Sequence, residues 1–405
     1  MRILLLTQIF DPEPTFKGMV FAKALQDAGH EIEIITGFPN YPGGKIYTGY
    51  KLKWRQKEDV SGIKITRVFL FPSHSRSLIK RIINYSTFAI SACLYGVFGA
   101  KKADVIYVFC TPITVGLAAV IIGFFQKIPF LLDIQDLWPD TLRATGMLNN
   151  KYLLKVVDIF CKLIYQRAKY IVVLSPGMRQ LLIDRKVPGA KVGVVYNWAN
   201  EKLIFSCIPV DFCQLNLLPG KFNVVFAGNM GKAQALDTIL LVAKRIRGIN
   251  SKIQFVLVGD GIEVERLKRI VLEQQIDNVR FISRMEMQRI GAVLQLANIL
   301  LVHLKNDPLF EITIPSKTQA YMAFGKPILM AVKGDGADLI KLAKAGYCAD
   351  PENVDSIVNS ILEMAELSGE VLNNMGLNGK EFYNKNLSLK IGVEKFLNIF
   401  DSMIH

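Results

Sequence analysis

The sequence predicts an α/β protein of two doubly wound domains in series. Three observations predict it. The chain has 405 residues, which suits two domains of about 200 residues each. Apolar residues make up 51% of it, enough for two cores. Short apolar runs alternate with helical patterns in both halves, as parallel βαβ units do.

Residues 3–7 (ILLLT) read as the first strand and 17–28 as a helix closing at Gly29. The apolar run stops at Thr7-Gln8, too short for a secretory h-region, so a buried strand is expected there. Further strands are expected at 31–36, 64–71, 104–109, 129–134 and 170–175. The second half repeats the scheme, with strands at 223–228, 252–259, 279–283, 298–304 and 326–332 and helices at about 235–248 and 262–275. Between 196 and 221 the period fades and Asn197, Asn200, Pro209, Asn216, Pro219 and Gly220 accumulate. That joint sets the expected domains at 1–196 and 197–386. Residues 387–404 read as a helix with Leu389, Ile391, Phe396, Ile399 and Phe400 available for one face. In two-domain enzymes of this kind such a tail often packs back on the first domain.

Charge is unevenly divided. Residues 1–200 carry 26 Lys+Arg against 13 Asp+Glu, whereas 201–405 carry 23 against 22. A basic excess in one half implies an anionic partner for it, although a solubilising surface is the plainer explanation. No helix-turn-helix, zinc-finger or RNP signature supports nucleic acid. The six cysteines are scattered and histidines number only four, so zinc is not expected and a reducing compartment is. Residues 82–100 hold no charge and are flanked by Arg76, Lys80 and Arg81 on one side and Lys101 and Lys102 on the other. Asn84, Ser86, Thr87 and Ser91 make this segment too polar for a good membrane span. A crossover helix is expected instead, and an exposed apolar face on it would make an interfacial anchor on anionic lipid.

Several motifs carry chemistry. Strand 223–228 runs into Gly228-Asn229-Met230-Gly231-Lys232, where glycines and a helix N-terminus suit an anion and Lys232 adds a full charge. A plain tight turn accounts for that pattern equally well. Gly259 and Asp260 end the next strand in a Gly-Asp-Gly turn of the sort that borders nucleotides or simply reverses the chain. The segment 314–330 is more specific. Pro315 opens a helix with free N–H groups, Ser316 and Lys317 add a hydroxyl and an ammonium suited to a diphosphate, and Gln319 could reach a ribose or sugar hydroxyl. In the first half, Asp133, Asp136 and Asp140 follow a buried strand; one is a candidate base or acceptor-orienting group, with a metal cluster or a helix cap as rivals. The loop 37–50, with Asn40 and Tyr41, suits a sugar face.

Together these stretches resemble the GT-B glycosyltransferases of family 4, and within them the WbuB-type branch of L-fucosamine transferases. The likeness rests on LLTQIFDPEP (5–14), TGFPNYPGGKIYTGY (36–50), DLWPD (136–140), LSPGM (174–178), AGNMGKAQALDTIL (227–240) and 314–340. The resemblance implies a GT-B fold of two Rossmann-like domains facing an interdomain cleft, and retaining transfer from a nucleotide diphosphate sugar, N-acetyl-L-fucosamine being the leading guess. It implies no metal and no other cofactor. The acceptor it implies is a glycan on a polyprenyl diphosphate, reached by a peripheral protein at the cytoplasmic face of the membrane in O-antigen or capsule assembly. The family often places Arg and Lys in the turn equivalent to 228–235; here Asn229 and Gln234 stand there, leaving Lys232, Arg284 or Lys317 to neutralise the phosphates. The family's Glu-x7-Glu pair aligns with Ile312 and Ala320, with Glu311 and Gln319 one residue earlier and Gln319 the expected surrogate. Thr15, Lys17 and Gly18 replace the Gly-Gly of its first loop. Lys17, Gly18, Asn40, Tyr41 and Asp133 are therefore expected on the acceptor side, and Asp136, Lys232 and Lys317 as catalytic groups. The departures also fit a catalytically weak nucleotide-sugar-binding subunit docked on a membrane, and an epimerase of the same shape is a third reading.

Overall fold

The computed structural model describes residues 1–74, 77–144, 146–201 and 220–404, the side chains of Met287 and Gln288 excepted. Much of the expected joint, with Pro209, Asn216 and Pro219, lies outside the described residues, as do Arg76, Cys207 and Cys213. The chain divides into two compact units, Met1–Tyr196 with the segment from Gly392 onward, and Asn197–Ile391.

The first unit runs β1 (Arg2–Leu6), α1 (Met19–Asp27), β2 (Glu31–Gly37), β3 (Arg55–Val60), β4 (Ile63–Val68), α2 (Leu78–Phe98), β5 (Val105–Cys110) and α3 (Thr114–Gln126). It continues through β6 (Phe130–Ile134), α4 (Asp140–Ala144), α5 (Lys151–Arg167), β7 (Tyr170–Val173), α6 (Pro176–Asp184) and β8 (Val192–Val194). The eight strands lie in the order β3-β4-β2-β1-β5-β6-β7-β8. All pair in parallel except β3 with β4. The order reverses between β1 and β5, and open sheets of this kind bind ligands beyond the strand ends at such a point. Strand β3 (RQKEDV) and the three-residue β8 were not expected. β3 is an edge strand, mostly exposed and without an apolar run, held antiparallel to β4 by the hairpin and by the Glu58–Arg67 ion pair (2.9 Å). Residues 82–98 of the uncharged segment fall in the crossover helix α2, Gly99 and Ala100 lie just beyond it, and among the described residues no helix is long and apolar enough to cross a membrane.

The second unit runs β9 (Phe222–Ala227), α7 (Leu236–Ile249), β10 (Ile253–Val258), α8 (Val264–Glu273), β11 (Val279–Ile282), α9 (Met287–Gln295), β12 (Ile299–His303) and α10 (Pro308–Glu311). Then follow α11 (Ser316–Phe324), β13 (Ile328–Ala331), α12 (Asp335–Ala343), β14 (Gly346–Cys348), α13 (Val354–Glu366), α14 (Gly369–Asn386) and α15 (Leu389–Ile404). The sheet order is β11-β10-β9-β12-β13-β14, all parallel, with its reversal between β9 and β12. Its core joins strand residues such as Val224, Phe226, Phe255 and Leu301 to one face of α7 and α13. Within this unit Tyr383 accepts from Ala199 N (3.1 Å) and donates to Glu201 (2.7 Å), which also accepts from Leu389 N (3.0 Å). From Gly392 onward α15 belongs to the first unit. There Phe396, wholly buried, stands edge-on to Phe21 and Tyr107, both at 5.4 Å.

Candidate active site

In the second unit the turns after β9 and β10 lie side by side. Gly228 N donates to Val258 O (2.9 Å) and Met230 N to Asp260 O (2.7 Å). Gly259 has φ +140°, and a Cβ there would sit 2.0 Å from the Gly228 carbonyl oxygen. Only glycine permits that approach, so part of what the glycine pattern showed is tight packing between turns. Gly228 and Asn229 are nevertheless exposed, and Gly231 N donates to the Gln234 side chain (3.0 Å). Lys232 follows on the surface. The turn is fastened from below by His303, a fully buried residue that the sequence did not single out. Its Nδ1 lies 2.7 Å from Gln234 O, and its Nε2 accepts from Glu352 N (3.1 Å). Those partners require the neutral Nδ1–H tautomer, and burial holds the pKa below the usual histidine value.

Helix α11 brings in the cation. Pro315 starts it and no side chain among the described residues caps it; Thr318 N turns back to Pro315 O (2.8 Å), which leaves the N–H groups of Ser316 and Lys317 for an anion. Lys317 and Tyr321 stand four apart, on one face of this helix. The Tyr321 hydroxyl accepts from Ala227 N (2.8 Å) and donates to Ala227 O (3.2 Å), which straps α11 to the end of β9. Lys317 is thereby set beside Gly228, where a Cβ on the glycine would meet Nζ at 3.2 Å. The ammonium is shut off from solvent with no hydrogen-bond partner among the described residues, 3.4 Å from the centre of the Phe226 ring. A cation–π contact offsets only part of that desolvation, and burial lowers the Lys317 pKa to about 7. Ser316 is exposed at the helix start. Gln319 is buried instead, its amide nitrogen facing the carbonyls of Pro315 (3.1 Å) and Ser316 (3.0 Å), so it braces the Pro-Ser turn from within. Glu311 is exposed at the end of α10. Beside the glycine turns is a pocket of about 330 Å³, lined by Gly259, Asp260, Lys268, Phe281, Ser283 and Arg284. The structure thus brings Gly228, Gly259, Asp260, Arg284, Pro315, Ser316 and Lys317 to one edge of the second sheet.

The first unit treats its expected residues differently. Asp133, fully buried at the end of β6, takes hydrogen bonds from Lys17 (2.5 Å), Tyr107 (2.5 Å) and Gln135 (2.8 Å). Lys17 is equally buried and lies 4.9 Å from the Phe396 ring centre. Desolvation lowers its pKa against the opposing pull of Asp133. These two expected acceptor-side groups are therefore committed to each other in a closed ion pair. Asp140 pairs with Arg185 (2.6 Å), so the three carboxylates do not converge as metal ligands do. Asp136 alone stays open. It is exposed, makes no hydrogen bond among the described residues, and has its pKa raised by desolvation in its crowded surroundings.

Gly18 is required for packing: a Cβ there would lie 2.0 Å from Asp11 Oδ2, which caps α1 by accepting from Met19 N (2.6 Å). Asn40 is buried and donates to Phe38 O (3.0 Å), while Tyr41 is half-buried against the His74 ring. Both hang on Glu13, whose carboxylate accepts from the backbone N–H of Asn40 and Tyr41, each at 2.7 Å, and of Phe10 (3.2 Å). Desolvation raises the pKa of Glu13 although those three donors oppose it. Glu13 pins the loop after β1 to the loop after β2. Nothing in its sequence context distinguished it from a surface acid.

Comparisons with known proteins agree with this architecture. Residues 19–198 match the glycosyl transferase 4-like domain, and residues 210–382 match glycosyl transferases group 1. Among curated relatives, the probable glycosyltransferase WbjE of Pseudomonas aeruginosa is 26% identical over 73% of this chain and 74% of its own. The putative colanic acid biosynthesis glycosyl transferase WcaI of Escherichia coli is 23% identical over 89% and 91%. Sucrose-phosphate synthase from Thermosynechococcus elongatus superposes with a TM-score of 0.75 at 16% identity, covering 99% of this chain and 98% of that one. Anabaena HepE in complex with UDP and glucose gives 0.70 at 13% identity, covering 99% and 100%. Two consecutive domain matches on two Rossmann-like units identify the chain as a glycosyltransferase of the GT-B fold, family 4.

Proposed function

We propose that the protein transfers a sugar, with retention of configuration, from a nucleotide diphosphate sugar to a lipid-linked glycan during assembly of a surface polysaccharide. The carrying observation is Lys317. A buried ammonium with no counter-ion among the described residues costs stability, and a diphosphate beside Gly228 would supply the missing anion. Exposed Asn229 and Lys232, the Ser316 hydroxyl and the first N–H groups of α11 add donors around the same place. The neighbouring pocket at Gly259, Asp260 and Arg284 has the volume and lining for a base and ribose. HepE, of similar fold, is described with UDP-glucose, and WcaI is named for colanic acid biosynthesis, which supports this donor class and pathway type.

In the reaction the bond from the anomeric carbon to the β-phosphate oxygen breaks, and its electron pair passes to the diphosphate. Lys317, Lys232 and the helix amides stabilise that growing charge, as preorganised donors do in most group transfers. The acceptor oxygen forms the new bond, and its proton goes to a leaving-phosphate oxygen. Asp136, the one open carboxylate of its group, orients the acceptor hydroxyl in this scheme. Lys317 provides the cationic charge that a divalent metal provides in other transferases, so the reading requires no metal. N-acetyl-L-fucosamine or a related amino or deoxy sugar is the donor group we favour, from the WbuB-like stretches of sequence.

The test starts with thermal shifts against UDP-, GDP- and dTDP-sugars, followed by transfer assays with the best ligand. Lys317→Met should weaken donor binding and lower turnover by about a hundredfold, the worth of one lost charge-stabilising donor. Near-normal donor affinity and turnover in that variant would remove Lys317 from the site. Binding of a nucleotide sugar without transfer would favour a binding subunit, and interconversion of the sugar without acceptor an epimerase.

A further inference from the structure

One face of the first unit is apolar in a way its own packing does not explain. Helices α2, α3 and α5 connect β4 to β5, β5 to β6 and β6 to β7, all stepping the same way along the sheet. Right-handed crossovers therefore put all three on one side, and α2 packs on α3 and α3 on α5. These helices carry 16 of the 30 large hydrophobic side chains that stand exposed among the described residues. On α5 the exposed stripe Tyr152, Val156, Ile159 and Leu163 keeps helical spacing, while Cys161, Ile164 and Tyr165 face inward. On α2 the stripe is Ile79, Ile83, Ile90, Leu94 and Phe98, the last 83% exposed. Phe124 and Phe125, 70% and 64% exposed, project from the end of α3. Monomeric proteins seldom leave so much contiguous apolar surface to water.

The charge around this face is predominantly positive, with exposed Asp104 beyond α2 accepting from Arg2 N (2.6 Å). Helices α2 and α3 contain no acidic residue, and the single acid of α5, Asp158, is paired with Lys162. Exposed lysines stand at the helix ends instead: Lys80 on α2, Lys101 and Lys102 beyond it, Lys127 after α3, and Lys151 and Lys155 on α5. Long basic side chains around an apolar layer match a surface that is hydrocarbon within and anionic at the rim.

We propose that the outer face of α2, α3 and α5 lies in the interface of an anionic lipid bilayer. The helices lie on the membrane without crossing it, as none among the described residues is long and apolar enough to span. Their N-termini are at the strand-end edge that carries Asp136 and the Glu13-pinned loops. A glycan on a membrane-held diphosphate would be presented at that edge, a consequence that rests on the acceptor proposed above; the lipid contact itself does not.

Flotation of the full chain with phosphatidylcholine vesicles, with and without phosphatidylglycerol, tests the inference. We expect capture by the anionic vesicles only, weakened by salt. Combined Ile90→Glu, Phe124→Glu and Ile159→Glu should reduce capture by about tenfold or more, and Lys101→Glu with Lys102→Glu should reduce it with the apolar face intact. Unchanged melting and unchanged nucleotide-sugar binding in these variants would show that both units remain folded. Equal capture of wild type and variants overturns the proposal, as does failure of wild type to bind anionic vesicles. Dimerisation through this face, abolished by the same substitutions and without vesicle binding, would assign it to a second copy and also overturn it. Vesicle capture without binding of any nucleotide sugar would sink the transferase mechanism and leave the docking face standing.

Discussion

In the proposed donor site, Lys317 exchanges stability for anion binding. Its free pKa of about 7 is far below that of a solvated lysine, so the folded protein holds its proton weakly until an anion arrives. A diphosphate bound as proposed would raise that pKa, and donor binding would then take up a proton. The sign follows: affinity is full below pH 7 and falls by up to tenfold per pH unit as pH rises from 7 toward the pKa of the complex. Calorimetry with a nucleotide sugar, whose diphosphate does not titrate in this range, should show that slope and a buffer-dependent enthalpy. A pH-independent affinity between 6.5 and 8.5 would mean that Lys317 does not meet the phosphates. The same burial makes Lys317 a burden on the empty protein. Lys317→Met, besides losing donor binding, should raise the melting temperature by about 2–4 °C for each kcal/mol recovered.

At the level of elements, the candidate site is two glycine turns and one helix start held by buried straps. Tyr321 fixes α11 to β9, His303 fixes the turn after β9 to Glu352, and Gln319 braces the first turn of α11. The strap residues are legible only in three dimensions, because a buried tyrosine or histidine in an apolar run looks like core. The contact between the glycine turns is the least tolerant point. Gly259→Ala would drive a methyl into the Gly228 carbonyl and hold alanine at φ +140°, so we expect a loss of at least about 2 kcal/mol. Denaturant melts should show it, with donor affinity falling in parallel because both turns border the site. A neutral Gly259→Ala would mean that the turns separate freely.

At the level of the molecule, the chain returns to its first unit at its end. Phe396 fills a space between Phe21 and Tyr107, and its ring covers the Lys17–Asp133 pair. Phe396→Ala removes a fully buried aromatic and should destabilise the first unit by about 3–5 kcal/mol, with solvent reaching the ion pair. Hydrogen exchange would place the loss in β1, α1 and β5. An effect confined to the last helix would show that the segment adheres without completing the core.

The sequence alone determined both sheets, their parallel sense and most of their strands, because buried parallel strands are written as uninterrupted apolar runs bounded by turn residues. It also marked the Pro315-Ser316-Lys317 start and the glycine turns as candidates, since a helix start opened by proline and glycines at a strand end suit an anion. Tertiary structure decided the rest. It turned Lys17 and Asp133 from expected acceptor contacts into a buried pair, left Asp136 open, and made Glu13 a pin between loops. It also set the apolar stripes of three separate helices on one side of a sheet. Which of several like charges is neutralised, and which face of a helix meets water, depends on neighbours distant in the chain, and local pattern carries no record of them.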